Sequence, residues 1–511
     1  MSAQPSPDEE RAEALDYEPE PLVVERFSAA PTGQERAEAL DYEPEPFVVE
    51  RFSAAPTGQE RAKALDYEPE PFVVERFSAA PTGQERAKAL DYEPEPFVVE
   101  RFSAAPTDEE RAEALDYERR PSPLLLLLLI LPIAYALTLA RSVVFGDPTE
   151  YTFVAHVLGI AHPPGYAFYT LLGKLFQTLV PLGTVAARTH LLSAVMATVA
   201  ALFVYGTVRA AARTMFVAAR PPFDVSAAAA VFAALTFGLA ADVWQHAIHA
   251  NPHIVTAAFL AANLFLLTRW AAGGANDRRW LFAFSLSAGL GVTHHPLTVI
   301  AFPAYAVFIL LARPGIVREW RTWLGMLACA ALGLLVWLYF PLRSATAPPF
   351  GPATMTTLGG FLDHVLARGL SESLPYFGLA DAPGRAVVFG SLLRLQFALP
   401  VLFLALLGLL WPLLARRSER GATVPSWKLS ILYALAFAAN YAFVMSLRAQ
   451  DIMAYLLGML AIVAVLAGIG LHGLLALTAA RWRLAALPLG LLAAALFLLG
   501  PGLQLARNAP T

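Results

Sequence analysis

The stretch Phe145-Gly-Asp-Pro-Thr-Glu-Tyr-Thr-Phe-Val-Ala-His-Val-Leu-Gly-Ile-Ala-His-Pro-Pro-Gly-Tyr166 follows the first strongly apolar run of the chain and holds two carboxylates, two imidazoles and a Pro-Pro-Gly turn. It reads as an active-site loop. Asp147 and Glu150 lie three residues apart around Pro148. A helix that starts at this proline has Asp147 as its N-cap and Glu150 in its first turn, with both carboxylates facing one small volume. Taken alone, the pattern is more often that of a cap and a dipole-compensating acid than of a catalytic pair. The surrounding chain has to decide between the two.

Outward from this loop the chain is apolar. Of its 511 residues 57% are hydrophobic and its mean hydropathy is positive, too apolar for a soluble protein of this size. An all-α polytopic membrane protein is expected, because helices satisfy their own backbone in lipid. From Leu124 the sequence breaks into apolar runs near the roughly 20 residues that a spanning helix needs. Eleven are read, at about 122–140, 187–208, 225–241, 254–268, 280–293, 297–312, 322–340, 396–414, 429–446, 452–471 and 484–500. The segment Tyr166 to Val180, directly after the opening stretch, is short and contains Lys174, so it is read as a helix lying at the membrane surface.

That choice sets the sidedness of every later loop, and charge supports it. With the amino terminus inside, 17 of the 26 Lys and Arg residues from Arg119 onward fall in cytoplasmic loops and 9 on the other face, as basic residues do. Counting Tyr166 to Val180 as a span puts the 15 bases after Arg120 outside. The outer loops are then 141–186 and 341–395.

The net charge of −4 conceals two unlike parts. Residues 1–118 hold 30 of the 41 acids and 11 of the 37 bases. Asp16, Asp41, Asp66, Asp91 and Asp116 each begin Asp-Tyr-Glu at a period of 25. Each unit has three prolines, a net negative charge and one short apolar cluster such as Phe72-Val-Val74, too little burial to offset the ordering entropy. A disordered tail is expected. Without a basic start or an apolar h-region at residues 1–30 it should stay in the cytoplasm. The alternative is a multivalent tether whose Phe-Val-Val segments dock on a partner. Residues 119–511 form the membrane domain. The single cysteine, Cys329, excludes an intrachain disulfide and a thiolate metal cluster.

The acids of the membrane domain divide by side. Asp224, Asp277, Glu319 and Glu419 fall inside among arginines, in solvated structural roles. Asp147, Glu150, Asp242, Asp363, Glu372, Asp381 and Asp451 all fall outside, with His156, His162, His246, His249, His253, His294, His295 and His364. Titratable groups gathered at helix ends above an apolar bundle mark a catalytic or transport vestibule.

At these residues the chain resembles a family. Asp147-Pro-Thr-Glu150 followed by Leu158-Gly-Ile-Ala-His162-Pro-Pro-Gly-Tyr166 is similar to the first outer loop of GT-C membrane glycosyltransferases, specifically the protein O-mannosyltransferase-like family first catalogued as a domain of unknown function. Trp244-Gln-His-Ala, Gly291-Val-Thr-His-His295, Tyr339-Phe-Pro-Leu-Arg343, Pro349-Phe-Gly-Pro352, Phe361 to Val365 and Asp451 to Tyr455 follow in matching order. The resemblance covers about residues 124–475. Two departures are Asn251, near which the family usually has an acid, and His294, where asparagine is common.

The resemblance implies a GT-C bundle that transfers a sugar, mannose in the family, from a polyprenyl-phosphate donor to a protein or glycan hydroxyl with inversion, at the outer face of the cell (inner) membrane. Such chemistry needs a base for the acceptor hydroxyl and a cation or donors for the departing phosphate. Asp147 is the expected base, and Glu150 positions the acceptor or shares the proton. Arg343 is the first choice for the phosphate because its planar fork fits phosphate oxygens. Lys174, Arg188 and His162 are second choices. His294 and His295 either cap a helix turn or bind the sugar. His156 and His162 lack the spacing that puts two ligands on one helix face, so neither a metal nor another cofactor is expected. The rival reading is a transporter or flippase of lipid-linked sugars, which favours ionisable residues and broken helices at mid-membrane and a half-to-half repeat. A scaffold with a decayed site is a further alternative. No nucleotide-phosphate loop or nucleic-acid-binding patch is present in the sequence.

Overall fold

The computed structural model describes residues 123–215, 224–369, 375–414, 424–449, 451–482 and 486–509. The repeated tail and its expected disorder, together with Glu372, Glu419 and the arginines at 220, 416, 417, 420 and 483, lie outside the described residues. Within them there is no strand. Each of the eleven expected runs is occupied by helix: α1 Pro123–Thr138, α4 Val185–Met215, α5 Val225–Gly238, α7 Pro252–Ala272, α8 Arg278–His294, α9 Phe302–Ala312, α10 Trp320–Leu334, α14 Leu399–Leu414, α15 Ser426–Ser446, α16 Ile452–Trp482 and α17 Ala486–Phe497. Between them lie α2 Asp147–Val157, α3 Ala167–Leu179, α6 Ala241–Ala247, α11 Tyr339–Ser344, α12 Leu358–Val365 and α13 Ala382–Gln396, and α18 Leu503–Asn508 ends the described chain.

Not every run is a straight span. Among the described residues six helices are long and apolar enough to cross a membrane, or eight when two bent pairs are counted as one span each. One pair bends by 67° between α5 and α6, the other by 113° where α13 meets α14. The chain is thus a multi-pass membrane protein; six to eight of the eleven expected spans meet this test among the described residues, and two further apolar helices, at 127–138 and 296–312, are shorter. Composition explains who sits in the middle. The most apolar window of α7 is 83% buried, whereas that of the span Trp320–Ser344 is 17% buried, which makes α7 central and α10–α11 peripheral. Where α14 crosses α16 the backbones touch through glycine: a Cβ on Gly470 would lie 1.9 Å from the Leu404 carbonyl oxygen, so only small residues permit this approach.

The two ends of the bundle differ as the acids foretold. At one end Asp224 pairs with Arg209 at 2.6 Å, and Glu319 with Arg313 at 2.7 Å and Arg278 at 3.1 Å. The other end gathers the expected outer residues. Ala140 N–H bonds the Ile248 carbonyl, Asn251 N–H bonds Ser193 Oγ, and Tyr376 N–H bonds the Ser446 carbonyl.

Candidate active site

Helix α2 is the spine of the site. Its N-cap is Gly146 at φ 85°, and Asp147 is the first helical residue, with no side-chain cap hydrogen bond at the helix start. This corrects the expected N-cap by one residue: glycine takes the left-handed turn into the helix, which frees the aspartate. Asp147 is exposed, and its carboxylate makes no hydrogen bond among the described residues.

Glu150, one turn on, is engaged. Its Oε1 accepts the backbone N–H of His162 at 2.7 Å and its Oε2 lies 2.8 Å from His162 Nδ1. The Pro163-Pro164-Gly165 turn brings this histidine back onto α2. Because a carboxylate only accepts, Nδ1 carries the proton, and Nε2 has no partner among the described residues. The imidazole is 36% exposed, so Nε2 is reachable. Burial pushes the Glu150 carboxyl up, but the hydrogen bonds and charge of His162 outweigh it and hold it below its ordinary value. Burial likewise opposes a charged His162. The Glu150 hydrogen bond and charge, joined by the charge of Asp147, outweigh that and raise its pKa. Asp147 and Glu150 therefore act on one imidazole.

The other three cations expected at the phosphate do something else. Lys174 Nζ donates to the His156 carbonyl at 2.6 Å. Arg343 donates through Nη2 to the Val157 carbonyl at 3.0 Å, through Nε to that of Leu158, and through Nη1 to Thr346 Oγ1 at 3.0 Å. Arg188 donates to the Gln177 carbonyl near the end of α3. All three neutralise unsatisfied carbonyls at helix C-termini, where cations are favoured. Since ten residue steps of helix rise about 15 Å, Arg343 and Lys174 stand at the far end of α2 from Asp147. Of the expected cations, only His162 is brought to the carboxylates.

The ordered motifs interlock. Tyr339 Oη donates to the Gly159 carbonyl at 2.6 Å, Ile160 N–H to that of Phe350 at 2.9 Å, and His364 Nε2 lies 2.9 Å from that of Ala161. Gly165, at φ +93°, lies so close to Phe340 that a Cβ would come within 2.7 Å of its ring. The region around 339–365 is thus a clamp on the 157–165 segment, with Ile160, Ala167, Phe340, Met355 and Val365 as its apolar seam.

A ring cluster adjoins the pair. Tyr151 packs edge-on against Tyr166 at 5.3 Å and lies 5.6 Å from His162. Tyr166 meets His295 at 5.4 Å, and His253 meets Tyr455 at 4.5 Å. His295 caps its own turn, accepting the Leu297 N–H at 2.9 Å, and His294 Nε2 lies 2.8 Å from the Pro252 carbonyl. Asn251 caps α7 by accepting the His253 N–H. Beneath the cluster a narrow cleft has the polar side chains of His253, Thr256, Asn263, Asn440 and Tyr455 among apolar ones on its walls. His253 and Tyr455 were not among the expected site residues. The Asp451 to Tyr455 motif was the available signal for the second, and nothing distinguished His253 from the other outer histidines. Among the described residues no three His, Cys, Asp or Glu side chains gather as a metal-binding group.

The chain is similar to known proteins in sequence. Residues 147–315 match the family described as Protein O-mannosyl-transferase TMEM260 N-terminal domain, a match that begins at Asp147. The mouse (Mus musculus) Protein O-mannosyl-transferase TMEM260 is 30% identical over 67% of this chain and 48% of its own length. The Dictyostelium discoideum protein of that name is 25% identical over 56% of this chain and 36% of its own. The chain spans about half or less of the length of these curated relatives. Among solved structures, ArnT from Cupriavidus metallidurans bound to undecaprenyl phosphate overlaps 68% of this chain and 59% of its own at 17% identity and a TM-score of 0.45. The Archaeoglobus fulgidus oligosaccharyltransferase tethered with an acceptor peptide overlaps 76% and 55% at 15% identity and a TM-score of 0.46. The resemblance read from the motifs is thus met by O-mannosyltransferase relatives in sequence.

Proposed function

We propose that this chain is a glycosyltransferase that moves a sugar, mannose by the names of its relatives, from a polyprenyl-phosphate donor to a hydroxyl of a protein or glycan, on the extracytoplasmic side of the cell's inner membrane. The observation that carries the reading is the pairing of an exposed, unbonded Asp147 with an imidazole held by Glu150. In the displacement the acceptor oxygen bonds to the anomeric carbon, the bond from that carbon to the phosphate oxygen breaks, and configuration inverts. Asp147 takes the acceptor proton as general base, a role worth about 10²–10⁴ in rate. The departing polyprenyl phosphate is an anion, and His162 donates to it from Nε2. Glu150 keeps that imidazole charged and aimed. The step uses no cofactor.

Arg343, Lys174 and Arg188 then act indirectly, by holding helix ends. A transporter of lipid-linked sugars is the second reading, favoured by the two bent helix pairs. Proteoliposomes containing the full chain, supplied with polyprenyl-phosphate sugars carrying a radiolabelled headgroup and with membrane-protein acceptors, separate the two. Transfer predicts label in a new glycosidic bond on an acceptor. Label that changes leaflet while still attached to lipid, with no acceptor product, overturns it.

A further inference from the structure

A second carboxylate is braced near the same ring cluster. Asp451 immediately precedes α16, and its side chain is 60% exposed. Its Oδ2 lies 3.4 Å from Nε2 of His246, whose side chain is 3% exposed. His246 Nδ1 in turn is 2.6 Å from the backbone carbonyl of Asp242. A carbonyl and a carboxylate both only accept, so an imidazole serving the two carries a proton on each nitrogen. A buried cation therefore underlies an exposed carboxylate. The brace is itself anchored: the Asp242 carboxylate accepts from Gln396 Nε2 at 2.8 Å, and the Gln396 carbonyl accepts from Gln504 Nε2 at 2.8 Å.

Asp451 also sits where a cap of α16 would. Its Oδ1 lies 3.4 Å from the Ala454 N–H, as long a contact as that of its Oδ2 with His246, and both exceed the usual length of about 2.9–3.0 Å. Two long contacts leave the exposed carboxylate able to accept from a ligand. One turn further along α16, Tyr455 packs on His253 at 4.5 Å and lies 6.1 Å from His295. Asp147 and Asp451 both lie near enough to Tyr455 for their charges to act on its phenol. Two carboxylates from distant parts of the chain thus bear electrostatically on one tyrosine, one of them unbonded and the other beside a buried imidazole.

We propose that Asp451 is a sugar-binding carboxylate that accepts hydrogen bonds from hydroxyls of the hexosyl group, with His246 as the positioning residue that fixes it. This rests on the glycosyl-transfer reading above. An ionised carboxylate offers acceptor sites on both oxygens, and adjacent hydroxyls of a hexose supply two donors side by side. Bonds from O–H to a carboxylate are roughly twice as strong as neutral ones. A carboxylate already fixed by a cation loses less freedom when the sugar binds. The division of labour is then Asp147 toward the acceptor and Asp451 toward the transferred sugar.

The test uses the full chain in proteoliposomes with polyprenyl-phosphate mannose and its 2-, 3-, 4- and 6-deoxy analogues. Wild type should show KM raised about tenfold or more on at least one analogue. Asp451→Asn should raise KM about tenfold on the parent yet add less than about twofold on that analogue, whose contact is already missing. His246→Gln should shift KM in the same pattern by a smaller factor with kcat held within about twofold. Asp363→Asn, which removes an exposed carboxylate paired with Arg368, should change nothing. An equal KM change on every analogue, or none, overturns the sugar contact while leaving transfer standing. Should Asp451→Asn not fold, equal wild-type KM on all four analogues is by itself fatal to the proposal. A wild type that transfers no hexose at all overturns the parent reading and this one together.

Discussion

Glu150 spends both oxygens on His162, and that separates it chemically from Asp147 three residues earlier. The ion pair is intact only when Glu150 is ionised and His162 carries a proton on both nitrogens. His162 has a raised pKa, so its contribution is complete below the ordinary imidazole value of about 6.5 and is lost as pH climbs through the raised one. Glu150 has a lowered pKa, so its contribution is complete above the ordinary carboxyl value and is lost as pH falls through the lowered one. Transfer should therefore fall on the alkaline side as His162 deprotonates. Glu150→Gln removes what holds the charge, leaving burial to depress it, and the alkaline limb of kcat/KM should move to lower pH. A limb that stays in place in Glu150→Gln would show that His162 is not the titrating group. His162→Gln, which keeps bulk but not charge, should lower kcat by about 10²–10³, the size of losing one preorganised donor to a developing anion.

At the scale of elements, α2 is an oriented rod with reactive groups at one end and a clamp at the other. Arg343 touches the clamp end three times. Its replacement by alanine leaves two part-buried carbonyls short of a charged donor, at a cost of about 1–3 kcal/mol. The thermal midpoint should drop by several degrees, whereas affinity for polyprenyl phosphate, measured by equilibrium binding, should change by less than about twofold. Unchanged stability with binding lost would return Arg343 to the phosphate. Gly165→Ala should also loosen the clamp, because the new Cβ meets Phe340 in a left-handed backbone; faster proteolysis within 157–166 would register it. These elements also show what was legible in the sequence. The order of the motifs was readable, and so was the helix after Tyr166, because both depend on residue type and spacing. The fate of Arg343, Lys174 and Arg188 was not. Their partners are backbone carbonyls, which every residue carries, so no side-chain pattern announces that a cation is already occupied. The pairing of Glu150 with His162 was hidden similarly, since the turn through Pro163, Pro164 and Gly165 sets how the chain doubles back.

For the whole molecule, apolarity and charge carried the architecture. Each expected run is helical, and of the acids expected among arginines the three described ones, Asp224, Asp277 and Glu319, are paired with them. The breaks at residues 239–240 and 397–398 fall where the expected runs 225–241 and 396–414 end and begin; what the sequence did not announce is that helix resumes across each break, in α6 and α13. Sidedness can be mapped with one probe. In a Cys329→Ser background, cysteines at Phe145 and Leu379, both fully or nearly fully exposed, should react with an impermeant maleimide in intact cells. A cysteine at Val317 should react only after permeabilisation, and the reverse pattern would invert the topology. Removing residues 1–118 should leave kcat/KM for transfer within about twofold, since no site residue lies in the repeats. The central claim, sugar transfer at Asp147, is tested most directly by purified wild type and Asp147→Asn in proteoliposomes with labelled polyprenyl-phosphate mannose and acceptor. Wild type should yield a labelled acceptor, and the variant a rate lower by at least about 10² with the same thermal midpoint. Transfer by Asp147→Asn at the wild-type rate would contradict the claim.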